Sequence, residues 1–260
     1  VEDLTPKHIV ITGATSGIGT AAAQEMAKRG WRVTIVGRDQ ARLSAALSGV
    51  PGSTGLLADF TSLAEVRALA SQLKGQRIDV LANNAGLVTR GTTVDGYDAT
   101  MQINHLAPFL LTNLLRPELA PGARIVTTSS MASQTGGDPT PPGRRFASAW
   151  IAYGTSKKAN IYFAAEASRR WPGLLSFSFH PGVVRTRFGT PLARIFYNFA
   201  PGLSTPEQGA DQLVWLSTAP PEDLVNGAFY VSRKIAAGPS KNEAAASRLW
   251  EATATLVGLA

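Results

Sequence analysis

Short β-branched runs alternate with longer stretches of helical periodicity along most of this chain, and that alternation restricts its fold more than any other feature. His8-Ile9-Val10-Ile11-Thr12 is followed by a helical pattern from Ile18 to Arg29, then by Arg32-Val33-Thr34-Ile35-Val36 and a second helical pattern from Gln40 to Leu47. The sequence continues with a strand from Thr54 to Ala58, a helix from Leu63 to Leu73, the strand Asp79-Val80-Leu81-Ala82 and a helix from Tyr97 to Leu115 whose pattern Pro108 interrupts. Strands from Arg124 to Thr128 and Leu175 to Phe179 flank a helix from Ala152 to Arg170, and a helix from Pro206 to Leu216 precedes the strand Ala228-Phe229-Tyr230-Val231. Continuous apolar strands joined by helical crossovers predict an α/β fold: a single-domain, Rossmann-type, doubly wound parallel sheet of about seven strands flanked by helices. No linker or internal repeat divides residues 1–260. The Pro/Gly-rich stretch of about 133–149 reads as a surface insertion, and about 183–204 as a substrate lid.

Composition excludes several functions. Without cysteine there is neither a disulfide framework nor a thiolate metal site, and His8, His105 and His180 are far apart, so no metal is expected. The formal charge of +7 comes from scattered basic residues with no block longer than a pair. A nucleic-acid binder would show salt-sensitive DNA affinity, and no motif supports that reading. No apolar run reaches the roughly 18 residues of a membrane span, and Val1-Glu2-Asp3-Leu4 shows no signal peptide, so the expectation is a cytoplasmic protein without an integral membrane segment.

Between the first strand and first helix lies Thr12-Gly13-Ala14-Thr15-Ser16-Gly17-Ile18-Gly19. Glycines spaced G-x3-G-x-G permit a tight turn and close backbone approach, leaving helix amides aimed at a pyrophosphate. After the second strand, where an NAD site would often place a carboxylate, the chain has Gly37-Arg38-Asp39. Arg38 suits a 2′-phosphate and favours NADP(H) over NAD(H), with Asp39 available to cap the next helix. Asp59, followed by Phe60, either accepts from the adenine amino group or caps the helix near Ser62; the sequence allows both.

Tyr153-Gly-Thr-Ser-Lys157 places an ammonium one helical turn from a phenol. An isolated tyrosine has a pKa of about 10, and a neighbouring cation favours its phenolate. Such a pair is usually just a helix face, and its weight comes from Thr127-Thr128-Ser129-Ser130, Asn83-Asn84-Ala85-Gly86 and Asn104 elsewhere in the chain.

These motifs, in this order and with Pro181-Gly182 after them, resemble the short-chain dehydrogenase/reductase family from His8 to about Val231. The 23 residues from Ser130 to Tyr153 resemble the retinol-dehydrogenase and protochlorophyllide-reductase-like branch, as do Tyr153-Gly-Thr-Ser-Lys157-Lys-Ala-Asn160 and His180-Pro181-Gly182-Val183-Val184-Arg185-Thr186. The resemblance implies a catalytic set of Ser130, Tyr153, Lys157 and Asn104, with Ser129 as fallback for the serine. Asn104 would hold a water through its backbone or, more modestly, satisfy helix backbone. The implied cofactor contacts are Gly13, Thr15, Ser16, Gly17, Ile18, Gly19, Arg38, Asp59, Phe60, Asn83, Ala85, Gly86, Tyr153, Lys157, Pro181, Gly182, Val184 and Thr186. Asn83 would bond the adenosine side and stabilise the central sheet, and Val184 and Thr186 would bond the carboxamide, while His180 reads as a structural histidine rather than a second acid/base.

The expected activity is hydride transfer between NADP(H) and the carbonyl or alcohol carbon of a small, apolar substrate. An NADP-binding sensor or scaffold without turnover is the alternative. Ile195, Phe196, Tyr197 and Phe199 would form the lid or pack into a core or contact between copies. A homodimer would use the helices Tyr97 to Leu115 and Ala152 to Arg170 unless the insertion obstructs it, which leaves a monomer open.

Overall fold

The computed structural model describes residues 5–183, 204–238 and 241–259. Within them β1 (His8–Thr12), β2 (Arg32–Gly37), β3 (Thr54–Leu57), β4 (Ile78–Asn83), β5 (Leu119–Thr128), β6 (Leu175–His180), β7 (Phe229–Val231) and β8 (Lys234–Ile235) form one sheet in the order β3-β2-β1-β4-β5-β6-β7-β8. All neighbours are parallel except β7 and β8. The order reverses between β1 and β4, and at that switch point the carboxyl ends of the strands open a crevice.

Helices cover both faces. On one lie α1 (Gly17–Lys28), α2 (Gln40–Ser48) and α6 (Pro206–Thr218), packed against Ile9, Ile11, Val126, Phe177 and Phe179. On the other lie α3 (Leu63–Gln72), α4 (99–114), α5 (Ala149–Arg170) and α7 (Glu243–Leu256), over a core that includes Leu81, Leu110, Ile125 and Phe163. Side chains on alternate strand residues enter opposite layers, which is why β1 is buried along its whole length.

Four differences from the sequence reading have physical causes. The sheet has eight strands, because a two-residue turn at Ser232 and Arg233, both at positive φ, returns the chain onto β7. Such turns normally announce themselves by Asn or Gly. Here Gln212 Oε1 accepts from the Arg233 amide at 2.7 Å, and Asp211 binds its guanidinium. Helix α4 is not continuous: it runs Ala99–Met101, then a π turn Gln102–Leu106, then Ala107–Leu114. Pro108 has no N–H to give to the carbonyl of Asn104 four residues earlier, and the widened turn lies at that site.

The insertion of about 133–149 has many exposed residues, as expected of a surface segment, but it begins inside the protein. Ser133 and Gly136 are buried, and Gly136 lies on the backbone of Gly154 and Thr155 in α5. Finally, α7, to which the sequence reading assigned no element, lies across α5. Trp250 stacks on Phe163 (5.6 Å between centroids) and meets Phe109 and Trp171 edge-on at 4.8 and 5.1 Å.

Candidate active site

The turn after β1 shows why its glycines are required. Gly13 and Gly17 have φ of +66° and +56°. A Cβ on Gly13 would stand 2.7 Å from Cα of Ala85, and one on Gly19 would stand 2.6 Å from the Gly13 carbonyl oxygen. The turn is thus pressed against the end of β4. Thr12 fastens the two strands: its hydroxyl donates to the Ala82 carbonyl at 3.2 Å and accepts from the amides of Asn84 and Ala85, both at 3.0 Å. Side chains of Asp39, Ser62 and Ser148 cap α2, α3 and α5, but Ser16 makes no such bond to α1 and no acidic residue occupies its first turn. The first amides of α1 therefore remain available at the cleft for an anion.

A single cleft of about 1720 Å³ runs from this turn across the strand ends. It is lined by Gly13, Thr15, Ser16, Gly17, Ile18, Gly19, Arg38, Asp59, Phe60, Ala85 and Gly86 at the dinucleotide-like end and by Ser130, Tyr153, Lys157, Pro181 and Gly182 beyond. Asn83 and Asn104 are not among the lining residues. Val184, Thr186 and the aromatic residues expected in the lid lie outside the described residues, as does nearly all of the 183–204 segment.

Of the two roles expected of Asn83, its buried position at the end of β4 suits the support of the sheet, and its neighbour lines the cleft. Asn83 is buried and donates from Nδ2 to Thr112 Oγ1 of α4 at 2.9 Å. Asn84 lines the cleft and donates to the Thr12 carbonyl at 2.9 Å. Consecutive residues at a strand end face opposite sides, and the doublet in the sequence does not say which faces the ligand. Of the two roles open to Asp59, capping falls to Ser62, whose hydroxyl accepts from the Glu65 amide; Asp59 Oδ1 accepts from the Thr61 amide at 2.9 Å. Asp39 caps α2 by accepting from the Arg42 amide at 2.9 Å. Arg42, which sequence reasoning passed over, joins Arg38 among the residues lining the cleft; its signal was a second arginine in the first turn of the helix that follows β2.

The two adjacent serines are separated by their partners. Ser129 is buried and donates to the Lys157 carbonyl at 2.6 Å, tying β5 to α5. Ser130 lines the cleft, and its hydroxyl accepts from the Ala132 amide at 3.2 Å, leaving its proton free to turn toward a ligand.

Lys157 is 3% exposed, and its Nζ donates to the Thr128 carbonyl at 3.0 Å while lying 5.5 Å from the centre of the Tyr153 ring. Burial pulls its pKa down to about 7. Asn104 is wholly buried and clamps the loop after β4, its Oδ1 accepting from the Leu87 amide at 2.9 Å and its Nδ2 donating to the Leu87 carbonyl at 3.0 Å and to Ser156 Oγ at 3.0 Å. A Cβ on Gly86 would stand 3.1 Å from Lys157 Nζ and 3.2 Å from Asn104 Oδ1, so the missing Cβ leaves room for both side chains. His180 lines the cleft with its pKa lowered by burial and Nδ1 buried without a hydrogen-bond partner.

Among the described residues no group of three or more His, Asp or Glu could hold a metal, and no helix is long and apolar enough to cross a membrane. A dinucleotide fits the residues present: a glycine cradle that a Cβ would fill, uncapped amides at the start of α1 and two guanidinium groups further along the same wall.

Known proteins agree with this architecture. Residues 7–194 match the family model described as short chain dehydrogenase. A Streptomyces sp. (strain C5) protein, provisionally named a daunorubicin C-13 ketoreductase, is 46% identical over 98% of this chain and 94% of its own. Retinol dehydrogenase 13 of Homo sapiens is 34% identical over 97% of this chain and 85% of its own. The crystal structure of an uncharacterized protein from Mycobacterium Paratuberculosis has a TM-score of 0.80 at 32% identity, covering 98% of this chain and 96% of that one. A glycine turn, a serine at the end of β5 and a Tyr-x3-Lys pair on one cleft, with these relatives, make the chain a member of the short-chain dehydrogenase/reductase family, whose members are oxidoreductases.

Proposed function

We propose that this protein is an NADP(H)-dependent ketoreductase acting on an apolar carbonyl compound, with Ser130, Tyr153 and Lys157 as its catalytic residues and Asn104 as a positioning residue. The observation that carries this reading is the convergence of those three residues on the cleft that begins at the glycine turn. Pockets for a single drug-sized ligand measure roughly 300–1,000 Å³. A cleft of about 1720 Å³ has room for a dinucleotide and a second molecule.

When bound there, the nicotinamide group supplies the hydride. Ser130 donates a hydrogen bond to the substrate carbonyl oxygen and fixes its position. The Tyr153 hydroxyl gives its proton to that oxygen as negative charge develops on it. Lys157, anchored on the Thr128 carbonyl, favours the resulting phenolate, and a pKa near neutrality lets it return a proton to Tyr153. Asn104 keeps the loop after β4 against α5 so that Gly86 and Lys157 stay in register.

NADP(H) is favoured by two arginines, Arg38 and Arg42, on the cleft wall beyond β2, where Asp39 is committed to capping α2. The relative named as a ketoreductase gives the direction to test first. Oxidation of NADPH by the purified protein across a panel of ketones and aldehydes, compared with Tyr153→Phe, tests the whole reading. Tyr153→Phe is expected to lose at least about a hundredfold in turnover while still binding NADPH. Turnover equal to wild type in that variant overturns the assignment.

A monomer is the oligomeric state we propose for this chain. From Ala152 to Ala167 every residue of α5 but the half-buried Lys158 is buried, with α7 and the turn at 131–137 packed against it. The surface that a pair of α4 and α5 helices would offer a second copy is taken by the chain's own α7. Light scattering of the eluted protein at the mass of one chain is the expected result, and a stable dimer is the opposing one.

A further inference from the structure

Beyond the catalytic residues the cleft carries large apolar side chains that stand exposed among the described residues. Met131, next to Ser130, is 36% exposed, Trp150, one turn before Tyr153, is 44% exposed, and Val183, next to Gly182, is 52% exposed; all three line the cleft. Scattered exposed apolar residues are ordinary, but several that line one cleft beside its catalytic residues mark a surface suited to an apolar ligand. The Trp150 ring is held perpendicular to the Tyr153 ring, at 89° with centroids 5.9 Å apart. Ser148 caps the first turn of α5 through the Trp150 amide at 3.2 Å, so the backbone bearing the indole is fixed. The Ser130 hydroxyl accepts from the Ala132 amide, which fixes Met131 between them.

The carbonyl of any substrate placed at Ser130 and Tyr153 therefore has near it an indole set edge-on to the Tyr153 ring and a polarisable thioether. Indole gains most against a flat π-system, and a thioether makes favourable contacts with aromatic rings. A flexible alkyl chain would gain area burial alone.

We propose that Trp150 and Met131 form a platform that selects ketones whose carbonyl is borne on a planar, fused aromatic body over open-chain ketones of the same carbon count. The proposal rests on the ketoreductase reading of the same cleft.

Acetylnaphthalene and dodecanone, matched in carbon count, separate the two kinds of substrate. Wild-type enzyme is expected to show a KM for acetylnaphthalene about tenfold or more below that for dodecanone. Trp150→Ala should raise the acetylnaphthalene KM by about that factor with kcat retained, and leave dodecanone within about twofold; Trp150→Phe should recover much of the loss, and Met131→Ala should act in the same direction. Equal losses on both ketones, or a fall in kcat instead of a rise in KM, would mean that Trp150 only props Tyr153 and would overturn the platform. Binding of acetylnaphthalene to the NADP⁺-loaded protein, followed by calorimetry, is measured in parallel. Trp150-dependent binding without turnover of either ketone would sink the ketoreductase reading and leave the platform standing, whereas absence of binding by the wild type would sink the platform itself.

Discussion

Lys157 Nζ and Asn160 Nδ2 both donate to the carbonyl oxygen of Thr128, at 3.0 and 3.1 Å. One backbone acceptor at the end of β5 thus fixes the lysine of the cleft and an amide one turn further along α5. Asn160 Oδ1 in turn lies 3.3 Å from His105 Nδ1, and His105 Nε2 lies 3.2 Å from Thr253 Oγ1 of α7. Burial holds the His105 pKa down to about 4, so this imidazole is neutral in the working range. The C-terminal helix is therefore linked to the site through a buried polar chain.

Replacing Asn160 by Ala removes one of two donors to Thr128 and leaves His105 Nδ1 without its partner. The expected cost is about 1–3 kcal/mol of stability, read from urea unfolding. Lys157 keeps its own bond to Thr128, so NADPH binding should change little.

Arg38 and Arg42 are expected to set cofactor choice together. Substituting both by Ala should raise the KM for NADPH roughly tenfold or more while leaving the KM for NADH nearly unchanged. Equal effects on the two cofactors in steady-state assays would remove the 2′-phosphate assignment.

Lys157→Met should abolish turnover and yet stabilise the fold at and below neutral pH. The native ammonium has its pKa lowered by burial to about 7 against an ordinary 10.5. Between these values the unfolded chain binds a proton that the native chain lacks, so wild-type stability rises with pH through that window. Below about pH 7 the full cost of holding the charge in the interior applies. Methionine escapes that cost, and thermal melts should show an advantage that is largest near pH 6 and shrinks toward pH 9.

Gly136→Ala tests how the loop bearing Ser130 is seated. Its Cβ would enter the backbone of Gly154 and Thr155, and a Cβ on Gly154 would in turn stand 2.6 Å from the Ala132 carbonyl oxygen. The substitution should lower stability by about 1–3 kcal/mol and reduce kcat by shifting Ser130 relative to Tyr153. A surface alanine such as Ser71→Ala serves as the control in the same melts.

Strand and helix order through β7 follows from local periodicity, since burial of a parallel sheet on both faces requires continuous apolar runs and the crossovers require a 3.6-residue pattern. The glycine turn and the Tyr153–Lys157 spacing are local as well: positive φ and a one-turn separation are properties of a few neighbouring residues. Long-range register decided which member of each doublet faces the ligand. Pairing of Asn83 with Thr127 and of Thr128 with Phe179 sends Asn83 toward Thr112 and Ser129 toward Lys157, leaving Asn84 and Ser130 at the cleft. The same holds for Arg42, for the Gly136–Gly154 contact and for α7, whose Trp250 is buried only because Phe109, Phe163 and Trp171 meet it from distant parts of the chain. The sequence by itself determined the α/β order and the residue types on which the proposed hydride transfer rests, because both are written at short range. Only the tertiary structure decided which side chains share the cleft and which are consumed in holding it, because strand register and helix packing depend on contacts between residues far apart in the chain.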